Sequence, residues 1–295
     1  MTLNGTRKSS RDKPCPYCGG LSRHYLQRYT QGYRFCRSCG LIFKDTQKSY
    51  QDVVYTYHQD YCEKFLGEQV DDHRLKLFEH ILDLLEEKKQ AGGRLLDVGT
   101  GLGYFMASAR RRGWAVEGLE PSGEAVDFAC EQHKIQVFQG TLNEYSGRAL
   151  FEAVTCINVL DHSAEPWAEL QKIGRLLKPG GVIYVRAPNG FLHAHLCRWA
   201  HRLGLAGIID RYLIFHEFSF TPRFIKRLLT DLGFCGIVIQ NSPPSTGDPH
   251  KLFPTGTMTE LLKSFNYQAG SVIQKLSGGA LLLGTSLEVL ACRKG

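Results

Sequence analysis

Along the 295-residue chain, apolar positions follow a helical period in some stretches and form short continuous runs in others. Leu75, Leu77, Phe78, Ile81, Leu82, Leu84 and Leu85 recur at helical spacing, which predicts an amphipathic helix ended by the Gly92-Gly93 breaker. The apolar run Leu95 to Val98 predicts a buried strand, followed by a helix from Tyr104 to Arg112 and a strand from Trp114 to Glu120. The alternation continues with a helix from Ser122 to about His133 and strands Ile135 to Phe138 and Ala153 to Val159. A helix Trp167 to Leu177, a turn at Lys178-Pro179-Gly180-Gly181 and a strand Val182 to Arg186 come next. Helix Pro222 to Leu232, strand Gly236 to Gln240 and strand Ser286 to Cys292 complete the pattern. Strands that alternate with helices in this way predict βαβ units and an α/β sheet fold.

Two stretches interrupt the alternation. Phe191 to Tyr212 is amphipathic and reads as a helical lid, and Asn241 to Thr285 opens with Pro243-Pro244 and holds helical runs at Thr259–Phe265 and Ser271–Leu276. The expected organisation is therefore a core over 75–295 with lid insertions at about 191–219 and 241–285. Aromatic and apolar side chains in both insertions suit a partly hydrophobic small-molecule acceptor.

Chemistry enters where the first strand ends. Leu95-Leu96-Asp97-Val98-Gly99-Thr100-Gly101-Leu102-Gly103 carries three alternating glycines, which let the backbone turn sharply and approach a ligand closely. A dinucleotide site would have G-x-G-x-x-G; here the spacing is Asp97-x-Gly99-x-Gly101-x-Gly103. The second strand ends on Glu120, a carboxylate placed to accept hydrogen bonds from two ribose hydroxyls.

This run resembles motif I of the class I S-adenosylmethionine (SAM) methyltransferases, and Leu176-Leu177-Lys178-Pro179-Gly180-Gly181 before an apolar strand resembles a later part of the same family, of the type 11, 12 and 23 kind. The resemblance implies a Rossmann-like seven-stranded sheet in the order 3-2-1-4-5-7-6 with the last strand antiparallel, and SAM as cofactor. It implies that Asp97, Gly99, Gly101 and Gly103 face the methionine part, that Glu120 holds the ribose, and that Thr141 and Leu142 flank the adenine. Asn158, Leu160 and His162 would lie beside the sulfonium. His162 and His216 are the candidate general bases; His216, in Ile214-Phe215-His216-Glu217-Phe218-Ser219-Phe220-Thr221, resembles a family segment at the acceptor mouth. Methyltransferases acting on exocyclic amines carry N/D-P-P-Y/F after strand four, whereas this chain has Asn158-Val159-Leu160-Asp161. That difference points to O- or C-methylation of a biosynthetic intermediate such as a natural product, sugar or lipid-like molecule.

Ten cysteines add a second element. Cys15-Pro16-Tyr17-Cys18-Gly19 and Cys36-Arg37-Ser38-Cys39-Gly40 are two C-x-x-C-G knuckles with zinc-ribbon spacing, so Cys15, Cys18, Cys36 and Cys39 form a candidate structural Zn²⁺ site over residues 1–48. Tyr25, Tyr29, Tyr33 and Phe35 between them are expected to form short strands and a small apolar core around the metal. A tyrosine-rich segment at 49–74 joins this module to the core. Cys62, Cys130, Cys156, Cys197, Cys235 and Cys292 are scattered and read as small buried residues.

Charge is uneven. Residues 1–50 carry a formal +8 against +7 for the whole chain, so a basic module precedes a nearly neutral core. An alternative reading follows, an RNA methyltransferase whose ribbon contacts phosphates; a third is a non-catalytic SAM-binding or docking module. No run approaches the roughly 18 apolar residues of a membrane span, and the first ten residues form no apolar signal core, so a cytoplasmic, reducing location is expected. Nothing in the pattern sets an oligomeric state.

Overall fold

The computed structural model of the protein describes residues 12–46, 72–89, 92–148, 150–210, 213–244 and 257–295. The tyrosine-rich segment and Cys62 lie outside them.

The N-terminal module is built from β1 (Lys13–Pro14), β2 (Leu21–Arg28), β3 (Gln31–Cys36) and β4 (Ile42–Lys44), paired antiparallel in that order. After helix α1 (Asp72–Lys88), the core runs β5 (Arg94–Val98), α2 (Tyr104–Arg111), β6 (Ala115–Glu120), α3 (Gly123–His133), β7 (Val137–Gln139), β8 (Phe151–Ile157), α4 (Pro166–Leu176) and β9 (Leu177–Pro188). The first insertion follows as α5 (Gly190–Arg202) and α6 (Ala206–Ile209), then β10 (Phe218–Ser219), α7 (Pro222–Asp231), β11 (Phe234–Asn241), α8 (Thr257–Leu276) and β12 (Ser286–Arg293).

The main sheet has the order β11-β12-β9-β8-β5-β6-β7, with β12 antiparallel to both neighbours and the other pairs parallel. Counted by the seven core strands, this is 3-2-1-4-5-7-6 read from the β7 edge, as expected. Successive strand residues face opposite layers, which is why these strands read as continuous apolar runs. Leu95, Ala153, Val182 and Tyr184 pack with Leu77, Phe78, Ile81, Leu82 and Leu85 of α1 and with Phe105 and Trp114. Their neighbours Leu96, Val154, Ile183 and Val185 face α4 and α7 through Leu170, Ile173, Phe224 and Leu228.

Several expectations change. The Lys178–Gly181 turn lies inside the span of β9 as a bulge: the register on β8 passes from Phe151 opposite Leu177 to Ala153 opposite Val182, and Gly180 between them is left-handed at φ +70°. The two helical runs of the second insertion are one helix, α8. Among the scattered cysteines, Cys156 and Cys197 are buried, whereas Cys130, Cys235 and Cys292 are only partly so.

The largest difference concerns the cysteine module. β10 adds to its sheet next to β4, with Phe218 opposite Phe43 and Ser219 opposite Ile42. The aromatic residues do not close a core around the cysteines. Tyr33, with Tyr25 and Phe35 beside it, packs against Ala194 and Cys197 of α5 and against Leu213 and Phe215, while Tyr29 is exposed at the hairpin. The cysteine side packs instead with Leu41, Phe43, Phe218, Phe220 and Phe224 in the core. So short a module buries too little apolar surface alone, and the lid and α7 supply the rest.

Candidate cofactor and acceptor site

The glycine turn after β5 is left-handed at all three alternate positions, with φ of +73° at Gly99, +56° at Gly101 and +81° at Gly103. A Cβ on Gly99 would lie 2.4 Å from Val159 Cγ2, and one on Gly103 would lie 2.9 Å from Ala129 Cβ of α3. Only glycine meets both the backbone and the packing requirement here.

Glu120, at the tip of β6, is almost wholly buried. Its Oε2 accepts the Gly101 N–H at 2.8 Å and its Oε1 accepts the Ser122 N–H at 3.0 Å, so the carboxylate ties the glycine turn to the second strand. A carboxylate offers about four lone-pair sites. Two remain for a ribose diol, which fits the expected cofactor.

Asp97 is also buried, and Thr155 Oγ1 of β8 donates to its Oδ1 at 2.6 Å. Burial pushes its carboxyl up to about 7, against the weaker lowering by that hydrogen bond. The unfolded chain ionises this group near pH 4, so the folded state holds a proton that the unfolded state has released between about pH 4 and 7. The stability due to the protonated form is complete below pH 4 and is lost as pH rises through 7. The melting temperature of the unliganded protein should fall between pH 5 and 8, and Asp97→Asn should flatten that fall. An equal slope in the variant would contradict the assignment.

Around the third strand, Leu142 is buried, and the Thr141 amide and hydroxyl both donate to Glu144 Oε2, at 2.7 and 2.8 Å. Glu144 thus places a carboxylate beside Thr141.

The two histidines, 54 residues apart in sequence, meet after β8. Their ring centroids are 3.7 Å apart. Both rings face Asp161, only 2% exposed, whose Oδ2 is 3.4 Å from His216 Nε2 and 3.7 Å from His162 Nε2. Among the described residues, neither Asp161 oxygen has a hydrogen-bond partner. Burial raises its carboxyl pKa, and the charges of His162 and Arg186 oppose the rise.

Asn158, at φ +58°, turns its side chain elsewhere: Arg186 Nη1 donates to its Oδ1 at 2.7 Å. Buried Arg186 also donates to Ser242 Oγ at 2.9 Å and to the Pro243 carbonyl at 3.2 Å, joining the second insertion to the ends of β8 and β9. Leu160 is fully buried. The sequence reading named the histidines and missed Asp161 and Arg186, although an Asp-His pair directly after the fourth strand was a usable signal. Cys156 lies buried in β8 with its thiol pKa pushed well up by burial, which suits core packing and not a nucleophile.

The cysteine knuckles share one geometry. Gly19 N–H bonds to Cys15 O and Gly40 N–H to Cys36 O, with both glycines left-handed. Cys15 and Cys39 Sγ are 3.7 Å apart and Cys18 and Cys36 Sγ are 3.6 Å apart, and all four lie within 4.8 Å of one another. A tetrahedral ion with Zn–S bonds of about 2.3 Å has S···S edges of about 3.8 Å; the donor set fits. Hydrogen bonding from Cys39 lowers the Cys15 thiol to about 5.

A seven-stranded sheet with a glycine turn after its first strand and a buried carboxylate closing its second is the fold of class I SAM-dependent methyltransferases. A family model described as "Methyltransferase domain" matches residues 70–237. The chain belongs to that family, as a class I SAM-dependent methyltransferase domain. It is 34% identical over 156 residues to a ubiquinone biosynthesis O-methyltransferase of Aeromonas salmonicida, covering 50% of this chain and 66% of that protein. A ubiquinone biosynthesis O-methyltransferase of Alkalilimnicola ehrlichii is 36% identical over 116 residues, which cover 36% of this chain and 47% of its own length. The chain thus spans about half to two thirds of these curated relatives. The Burkholderia thailandensis 1,6-didemethyltoxoflavin-N1-methyltransferase has the same fold, with a TM-score of 0.55 at 13% identity over 92% of this chain and 99% of that one. No helix among the described residues is long and apolar enough to cross a membrane.

Proposed function

We propose that this protein transfers the methyl group of SAM to an oxygen of a small, partly apolar acceptor held between the end of β8 and the two insertions. The observation that carries the reading is the buried Asp161 carboxylate with two imidazoles turned toward it, since a hydroxyl nucleophile must lose a proton that such an imidazole can take. The O-methyltransferases among its relatives support oxygen over carbon. Bound SAM supplies a methyl group on a positively charged sulfur, already electrophilic. Glu120 would hold its ribose, Asp97 and the glycine turn its methionine portion, and Leu142 and Thr141 the adenine. Leu160 would back the sulfonium, and Asn158 would act indirectly by fixing Arg186. One histidine takes the acceptor proton, and Asp161 stabilises the imidazolium that results. Four cysteines, Cys15, Cys18, Cys36 and Cys39, would hold one structural Zn²⁺ with no open position for chemistry.

The first test is calorimetric titration with SAM, followed by radiolabelled methyl transfer to a panel of phenols, catechols and other hydroxylated acceptors. Micromolar SAM binding and labelled product support the proposal, and SAM binding without turnover across the panel would favour a docking role. Glu120→Ala should weaken SAM by about 1.5–3 kcal/mol, the range for a hydrogen bond to a charged group, and an unchanged Kd would remove its ribose role.

A further inference from the structure

We infer that the cysteine module is part of the acceptor site and that Lys44 is the positioning residue through which it holds His216. The inference rests on the reading above, in which His216 faces the acceptor.

β10 is two residues long, and β4 is its neighbour in the small sheet. A strand so short does not hold its own place. Just before it, the Lys44 N–H donates to the Glu217 carbonyl at 3.1 Å, and Lys44 Nζ sits 2.6 Å from Glu217 Oε1. The two side chains are only 18% and 8% exposed. His216 is the residue adjoining this clamp, and its ring reaches Asp161. Beyond β10, Thr221 Oγ1 donates to the carbonyl of Gly40, the glycine that closes the second cysteine knuckle, at 2.9 Å. Residues 216–221 are therefore fastened at both ends to the metal module. His162 is placed differently, by its own turn after β8, where its N–H bonds to the Val159 carbonyl at 3.0 Å.

Removing the Lys44 ammonium would leave the Glu217 carboxylate buried without that partner. With that clamp gone, a strand only two residues long is held less firmly against β4, and the segment would shift, carrying His216 away from Asp161. His162 and the cofactor cradle would stay.

The test uses the full-length, zinc-loaded protein labelled with ¹⁵N at the histidine rings, with His216 assigned by the signal lost in His216→Asn. Lys44→Met should move the His216 ring signals to free-histidine positions while the calorimetric SAM Kd stays as in the wild type, and Lys44→Arg should restore the wild-type spectrum. Cys36→Ser should displace His216 in the same way. If Lys44→Met does not fold, the Lys44→Met, Glu217→Gln pair strands no charge and should still displace His216. An unmoved His216 signal in the folded lysine variant would overturn the inference, as would loss of SAM affinity in that variant. None of these readouts needs turnover, so failure of the base assignment is seen separately, as an unchanged methyl-transfer rate in His216→Asn.

Discussion

Asp161→Asn is expected to lower the rate of methyl transfer by roughly 10²–10⁴-fold, the range spanned by general-base catalysis and by loss of the carboxylate that orients a catalytic imidazole, while leaving the SAM Kd unchanged. The substitution keeps the shape and removes the charge. Asp161 is nearly inaccessible, with its Oδ2 3.4 and 3.7 Å from the two imidazole nitrogens. A neutral amide there cannot stabilise an imidazolium, so the proton from the acceptor hydroxyl has no favourable destination. Asp161 Oδ2 lies 3.4 Å from the His216 nitrogen and 3.7 Å from the His162 nitrogen, so His162→Asn and His216→Asn should have unequal effects. The larger loss identifies the base. Single-turnover rates with SAM in excess separate this chemistry from binding. If Asp161→Asn and both histidine variants transfer methyl at the wild-type rate, alignment alone drives the reaction.

Cys36→Ser is expected to reduce bound zinc from about one ion per chain to none and to lower the melting temperature by roughly 6 °C, the equivalent of about 4 kcal/mol in a chain of this length. Cys36 is wholly buried and shares a cluster with Leu41, Phe43, Phe218 and Phe224. The knuckles also carry the docking contacts. Tyr17 packs edge-on against Phe224 and donates to Asp231, and Arg227 donates to the Ser38 carbonyl at 2.8 Å. Losing the ion releases both knuckles and, with them, the face of α7 that they cover. Metal analysis together with calorimetry checks the expectation, and a variant that kept its zinc and its melting point would remove the metal from the cysteines.

How far the sequence reached depended on the distance over which each feature is decided. The glycine turn, the acidic strand tip, both C-x-x-C-G knuckles and the seven core strands are local. Each needs only a φ sign, an apolar period or a three-residue spacing, and the sheet order then followed from resemblance. The Lys178–Gly181 turn is local too: a proline and two glycines mark it, and the left-handed Gly180 forms it as a bulge where β9 steps past β8.

Tertiary structure decided what two distant segments do to each other. Asp161 reads as an ordinary polar residue until the chain from 213 to 219 folds back and sets His216 beside it. Asn158 stands where cofactor contacts are expected, and only its 2.7 Å contact with Arg186 turns it toward the second insertion. Nor do Tyr25, Tyr33 and Phe35 announce that they face the lid and not the cysteines, because an apolar side chain records that it will be buried and not against what. The motifs by themselves determined a SAM-methyltransferase core and a four-cysteine module. Joining the two, through β4 on β10 and Lys44 on Glu217, rests on pairings across more than 170 residues that no local period encodes.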